Sequence, residues 1–350
     1  MNRGAEALRL AVDARDLARD YRGIGRYTRA VVRRLCARDD VALTLLVNGP
    51  FGFRKRAELE RALGSSNFRI ATRVPKDADV VWHPANGTFF PSDRPSVVTI
   101  HEVAPFRFPS PVAAKRKREQ DPFLRSAQTL TRAITGSEFG REEMHAMLGV
   151  PRDRTAVIYH GVEPELCPGP PSVPGNELAA GSYLLFIGDA EGEARKNFAL
   201  LYEAYRGAWP GGDGPRLAVV GPRPPDLAGV TGLSGLTDDQ MIGLYRGAIA
   251  LALPALYEGF GMPMVEAMAC GTPVVASAAS CLPEIGGGAP VYADPRDAGA
   301  WAQALRSVVA DGELRARMRQ AGLGRASRFD WDSSAERHVA VFRDAAAAAR

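Results

Sequence analysis

The chain has 350 residues, more than one small domain needs and enough for two hydrophobic cores. Its 46% hydrophobic and 24% charged residues are those of an ordinary globular protein, and a formal charge of +4 without a basic stripe interleaved with aromatics argues against nucleic-acid binding. Cys36, Cys167, Cys270 and Cys281 are scattered and form no CxxC pair, which argues against a zinc site or a disulfide scaffold and fits a reducing cytosol.

In chain order, short apolar runs alternate with amphipathic helical segments. Residues 8–12 (LRLAV) read as a strand, followed by a glycine-containing turn and a helix over 24–36. Residues 41–47 form the next strand and 54–63 a charged helix. Short strands follow at 80–82, 96–100 and 133–135, with helices over 112–130 and 138–148, and a strand at 156–159 closes this half. A Pro/Gly-rich stretch over 164–181 then breaks the pattern and reads as a linker. Beyond it come strands at 183–187, 216–220, 248–253 and 273–276, with helices over 197–206, 238–246 and 264–269. Helices over 297–309, 313–322 and 332–349 complete the chain. Strand–helix alternation implies parallel sheets covered on both faces. The expected organisation is a Rossmann-like domain over 1–165, a linker over 166–181, a second such domain over 182–331 and a terminal helix over 332–350. Ligands are expected at the carboxyl ends of the strands, in a cleft between the two sheets.

The N-terminus lacks the apolar core of a signal peptide, and no run approaches the ~20 apolar residues of a membrane span, so the expected location is cytoplasmic. Peripheral contact with the inner face of the membrane stays open. Lys115-Arg-Lys-Arg118 reads either as a solvated helix face or as an anion-facing patch.

The segment richest in chemistry is Glu258-Gly-Phe-Gly-Met-Pro-Met-Val-Glu266, between a buried strand and a helix. Gly259 and Gly261 allow the backbone to approach a ligand closely. Pro263 suits the first helical turn, which leaves backbone N–H groups and the positive helix end to face a diphosphate. The flanking carboxylates would repel phosphate, but as pure acceptors they suit sugar hydroxyls. On residue types alone, Glu258 reads equally well as an N-terminal helix charge and Glu266 as a surface salt bridge.

That segment resembles the E-x7-E motif of retaining family 4 glycosyltransferases of the GT-B fold. The likeness runs on through Ala267-Met-Ala-Cys-Gly-Thr-Pro-Val-Val-Ala-Ser277 and Leu282-Pro-Glu-Ile285. Gly23-Ile-Gly-Arg-Tyr-Thr28, Thr99-Ile-His-Glu102, Gly136-Ser-Glu-Phe139, His160-Gly-Val162 and Arg195-Lys-Asn197 stand in the family's order. The resemblance implies a two-domain α/β GT-B architecture whose terminal helix crosses back to the N-terminal domain. It implies transfer of a hexose from a nucleotide-diphosphate sugar to a small-molecule, glycan or lipid-linked acceptor, with retention of configuration. Surface polysaccharide or natural-product biosynthesis is the implied setting, with bacterial mannosyltransferase-like members the nearest in detail.

Residue by residue, the resemblance implies that Glu258 contacts the donor sugar and Glu266 the ribose. The backbone of Gly259, Phe260, Gly261, Met262 and Met264 would lie along the sugar and diphosphate. Lys196, with Arg195 beside it, matches the cation that neutralises the leaving diphosphate, and Leu236 belongs to the segment expected at the base. His101 would face the sugar, and Gly23 and Gly25 match the glycine loop near the donor phosphates. Glu102, Lys115 and Arg118 are candidates for the acceptor side. Glu102 departs from the aspartate of relatives. The loop over 188–196 carries three acids where relatives place a basic residue, which puts a second diphosphate clamp in doubt unless Arg195 or an arginine from elsewhere supplies it. No Asp-x-Asp metal motif sits at a strand end, so neither a cofactor nor a catalytic metal is expected. The rival readings are a GT-B phosphorylase or epimerase, a non-catalytic nucleotide-sugar-binding protein, which the presence of both glutamates and the lysine disfavours, and, outside the fold, an NAD-dependent oxidoreductase, which the missing GxGxxG fingerprint disfavours.

Overall fold

Both halves of the chain are built on parallel sheets whose central strands are buried from both faces. The computed structural model describes residues 7–15, 17, 23–49, 55–173 and 178–348. The expected helix start at Arg54, positions 174–177 of the expected linker, and Ala349 lie outside them. The chain divides into two compact units, Met1–Gly161 with Trp331–Arg350, and Val162–Asp330.

The first unit runs β1 (Leu8–Asp13), α1 (Gly23–Cys36), β2 (Val41–Leu46), α2 (Arg56–Leu63), β3 (Arg69–Ala71), β4 (Val80–His83) and β5 (Ser96–Thr99). It continues through α3 (Ala104–Arg107), α4 (Ala113–Thr129), β6 (Arg132–Thr135), α5 (Glu138–Leu148) and β7 (Thr155–Val157). Among the described residues its sheet has the order β3-β2-β1-β4-β5-β6-β7, with every pairing parallel. All four residues of β4 are buried, which is why it reads as a continuous apolar run rather than an alternating one.

The second unit runs β8 (Tyr183–Ile187), α6 (Phe198–Ala208), β9 (Arg216–Val220), β10 (Val230–Leu233), α7 (Asp238–Gly247), β11 (Ala250–Leu253) and α8 (Met262–Ala269). Then come β12 (Val274–Ser277), α9 (Leu282–Gly286), β13 (Val291–Ala293), α10 (Ala298–Ala310) and α11 (Gly312–Ala326). The sheet order is β10-β9-β8-β11-β12-β13, again parallel throughout. Its core packs Trp301 and Leu305 of α10 and Leu201 of α6 over Phe186 of β8.

The last helix, α12 (Trp331–Ala347), returns to the first unit, where it packs on α1, β4 and β5. The division therefore falls at 161/162 and 330/331 rather than at the expected 165/166 and 331/332. Its physical reason is a strap of pairing. Val162 N–H donates to the Phe329 carbonyl at 3.0 Å, and Val162 bridges Asp330. The start of the expected linker is likewise packed, since Arg246 of α7 donates to the carbonyls of Glu165 and Cys167.

Candidate active site

Strand order reverses in the second unit at β8, whose neighbours β9 and β11 leave the sheet centre in opposite directions. Loops at such a switch point splay apart at the carboxyl ends and leave a crevice. The β8 exit ends in a single tight turn over Ala194–Lys196. Asn197 follows in the left-handed region with φ 59°, and its Nδ2 donates to the carbonyls of Pro254 (3.0 Å) and Pro295 (2.8 Å). Leu256 N–H donates to the Arg195 carbonyl at 2.8 Å. One asparagine and one backbone bond thus tie the β8 exit to those of β11 and β13, fixing where Arg195 and Lys196 point.

They point at Glu258. Lys196 Nζ lies 2.6 Å from Glu258 Oε1, and Arg195 lies 3.7 Å from Oε2 while also pairing with Glu193 at 3.2 Å. Glu258 is buried, with its N–H on Ser280 Oγ (3.1 Å) and its carbonyl accepting from Cys281 Sγ (3.2 Å). Ser280 holds that position in the left-handed region, φ 52°. A buried carboxylate flanked by two cations has its charge compensated and its direction set.

Gly259, Phe260 and Gly261 are buried between Glu258 and α8, and Met262 and Met264 open the helix. Gly261 is needed on two grounds. Its φ is 83°, and a Cβ there would sit 2.7 Å from Leu282 Cδ2. On the inner side of α8, buried Glu266 accepts from Tyr245 O–H at 2.7 Å, and Thr272 Oγ1 donates to the Tyr245 carbonyl at 2.6 Å. Leu236, half-buried, lies in the turn between β10 and the capping box that opens α7.

The first unit holds the remaining candidates. Gly23 and Gly25 occupy the first turn of α1. His101, just after β5, is buried, edge-on to Tyr27 (centroids 4.7 Å) and 5.6 Å from the His160 ring. Its Nε2 is 2.8 Å from the Pro84 carbonyl, so Nε2 carries the proton and Nδ1 the lone pair. Burial pushes its pKa down to about 4 against the opposing pull of that carbonyl, so His101 is neutral at pH 7. Glu102 is half-buried, and Lys115 and Arg118 are exposed on α4.

The structure therefore gathers Arg195, Lys196 and Glu258 into one cluster and places Glu266 on its own tyrosine partner. Sequence reasoning passed over Tyr245, Ser280 and the role of Asn197. Only Asn197 carried a signal, as the residue after the paired cations. Among the described residues no group of three or more His, Cys, Asp or Glu side chains is placed to hold a metal ion.

Residues 21–166 match the family model described as Glycosyltransferase Family 4, and residues 180–325 the model described as Glycosyl transferases group 1. The chain belongs to glycosyltransferase family 4. It is 25% identical over 368 residues to the O-antigen chain mannosyltransferase B of Escherichia coli, covering 92% of this chain and 96% of that protein. A D-inositol 3-phosphate glycosyltransferase of Corynebacterium jeikeium is 37% identical over 119 residues, 33% of this chain, and the match spans 25% of that relative. Among solved structures, the sucrose-phosphate synthase of Thermosynechococcus elongatus superposes with a TM-score of 0.69 at 18% identity, covering 97% of this chain and 100% of that one. Anabaena HepE in complex with UDP and glucose gives 0.69 at 16%, covering 96% and 100%. The fold is the α/β GT-B architecture of two Rossmann-like domains, and this family 4 chain is a glycosyltransferase.

Proposed function

We propose that the chain transfers a hexose from a nucleotide-diphosphate sugar to an acceptor hydroxyl with retention of anomeric configuration, and that it does so without a metal ion. The observation that carries this reading is the Lys196–Glu258–Arg195 cluster at the β8/β11 switch point. As the bond from the anomeric carbon to the phosphate oxygen breaks, negative charge gathers on the departing diphosphate, and fixed cations stabilise it where it develops. Lys196 and Arg195 take the part that a divalent ion would otherwise play. Glu258 orients the sugar through its hydroxyls, and Glu266, set by Tyr245, receives the ribose. The acceptor oxygen forms its new bond on the face the diphosphate leaves, and its proton passes to the leaving phosphate oxygen. The protein contributes positioning and charge. Proton NMR of the product formed from an α-linked donor tests the stereochemistry: an α-linkage is expected, and a β-linked product would overturn retention. Full turnover in EDTA is the expected result for the metal, and loss of turnover restored by Mn2+ would contradict it.

The proposed acceptor is a glycan or lipid-linked molecule met at the cytoplasmic membrane face. Lys115 and Arg118 are exposed on α4, and apolar Val112 (59% exposed), Phe108 (43%) and Leu124 (40%) are exposed on the same stretch of chain. Within the described residues no helix is long and apolar enough to cross a membrane. A basic, apolar-studded helix suits an anionic interface. Co-sedimentation with anionic but not neutral vesicles, abolished by reversing the charges of Lys115, Arg116, Lys117 and Arg118, is the expected outcome. Equal binding by the reversed variant would dismiss it.

A further inference from the structure

We infer that Arg223 is a third cation of the donor-phosphate site, beside Lys196 and Arg195, delivered from the exit of β9 rather than from the β8 loop. The inference rests on the reading that this unit binds a nucleoside diphosphate. The β8 exit is poorly furnished for that task by itself. Asp189, Glu191 and Glu193 lie in it, and with Glu258 they set four carboxylates against Arg195 and Lys196. Both cations are already engaged, Lys196 with Glu258 and Arg195 with Glu193 and Glu258. A diphosphate adds at least two more negative charges, which such a loop repels unless a further cation faces it.

The neighbouring strand supplies one. After β9 the chain turns through Gly221-Pro-Arg-Pro-Pro225, and prolines on both sides of Arg223 stiffen its backbone. Gly221 lies against the Gly188 carbonyl so closely that a Cβ would stand 2.3 Å from that oxygen. This contact brings the β9 exit over the β8 loop, and Arg223 reaches back to put Nη2 2.7 Å from Asp189 Oδ2. Asp189 is itself aimed by the Gly192 N–H, which donates to Oδ1 at 2.9 Å. Room for the pair comes from Gly192, where a Cβ would stand 2.0 Å from the Arg223 Nη2. Lys196 packs its stem against the other end of the same loop, 3.3 Å from where a Gly188 Cβ would be. Arg223 remains 60% exposed although one edge is anchored, so its other N–H groups are open to an incoming phosphate. Asp189 acts as a positioning residue that holds the fork ready.

Calorimetric titration with UDP and GDP, alongside ligand-observed NMR with uridine and guanosine, tests this on the full chain. Arg223→Gln is expected to weaken the better diphosphate about tenfold while leaving its nucleoside unchanged. Gly192→Ala removes no charge but displaces the guanidinium, so it should give a similar loss, and adding it to Arg223→Gln should cost nothing more. Unaltered diphosphate affinity in Arg223→Gln while Lys196→Gln is weakened would sink the inference and leave the functional reading standing. Parallel loss of nucleoside binding in Arg223→Gln would also sink it, since the residue would then be supporting the fold. A wild-type chain that binds neither of these diphosphates, nor dTDP or ADP, would overturn the reading and the inference together.

Discussion

Lys196 donates to Glu258 across the β8/β11 switch point at 2.6 Å, with side-chain exposures of only 13% and 8%. Such a pair is costly to desolvate and adds little net stability over an apolar pair of similar volume. The proposed donor chemistry accounts for its presence at the carboxyl end of the sheet, since that chemistry develops charge there which a fixed cation stabilises.

Lys196→Gln is accordingly expected to lower kcat by about 10²–10³-fold, the range for loss of one preorganised electrostatic contact. Donor affinity should fall as well, because the same ammonium faces the diphosphate of the bound donor. Glu258→Gln should also lower kcat, and the double variant should lose less than the product of the two single effects. Steady-state kinetics with a saturating acceptor provides the check, and independent, multiplicative losses would contradict a shared role.

Tyr245→Phe removes the hydroxyl that donates to buried Glu266. Losing one bond to a buried carboxylate should destabilise the fold by about 1–2 kcal/mol, seen as a lower urea midpoint at unchanged slope. Because Glu266 is then less firmly aimed, nucleoside affinity should fall as well. Stability loss with full nucleoside affinity would separate Glu266 from the ribose.

Gly261→Ala places a Cβ at a left-handed position and against Leu282. The backbone term alone costs about 1–2 kcal/mol, and the displaced loop should reduce activity sharply. Gly207→Ala in α6 has nothing within 4 Å of the new atom and serves as the control, with stability equal to wild type or up to ~1 kcal/mol higher.

Acid should loosen the first unit through its histidines. Tyr27 O–H and His338 Nε2 are 2.5 Å apart in the layer between α1 and α12, with His101 edge-on and His160 tilted against the same tyrosine. Burial pushes His338 and His101 down to about 4, and burial with its two histidine neighbours pushes His160 down as well. All three are neutral in the folded protein at pH 7 but titrate near 6.5 when unfolded, so the unfolded chain binds more protons between pH 6.5 and 4. Their stabilisation is fully present above pH 6.5 and is lost as pH falls below it, His101 and His338 each giving up roughly 1.4 kcal/mol per pH unit until about pH 4. Urea midpoints from pH 7.5 to 4.5 should decline accordingly, and less steeply in His338→Gln. A flat profile in the wild type would contradict the neutral, buried state.

Most of the central architecture was legible because buried parallel strands announce themselves as apolar runs. Residues 183–187 and 216–220 are found as β8 and β9 with those bounds. The strands the pattern did not show, β3, β10 and β13, are three or four residues long and lie at sheet edges, where half-exposure blurs any period. In the candidate site, the E-x7-E resemblance singled out Glu258 and Glu266 as candidates, and the Arg195-Lys-Asn197 resemblance singled out Lys196. It could not name Tyr245 or Ser280, whose roles depend on a helix end and a backbone angle set by tertiary packing. Arg223 was foreshadowed only as a missing charge, because its partner lies 34 residues away in sequence.

The measurement that bears most directly on the account is a thermal shift with a panel of UDP-, GDP-, dTDP- and ADP-sugars on wild type, Lys196→Ala and Glu266→Ala. A ligand at 100 times its dissociation constant adds about 2.7 kcal/mol of stability. One nucleotide class should stabilise the wild type and clearly less so both variants. If NAD or a simple sugar phosphate stabilised the protein while no nucleotide sugar did, the proposed donor chemistry would be wrong.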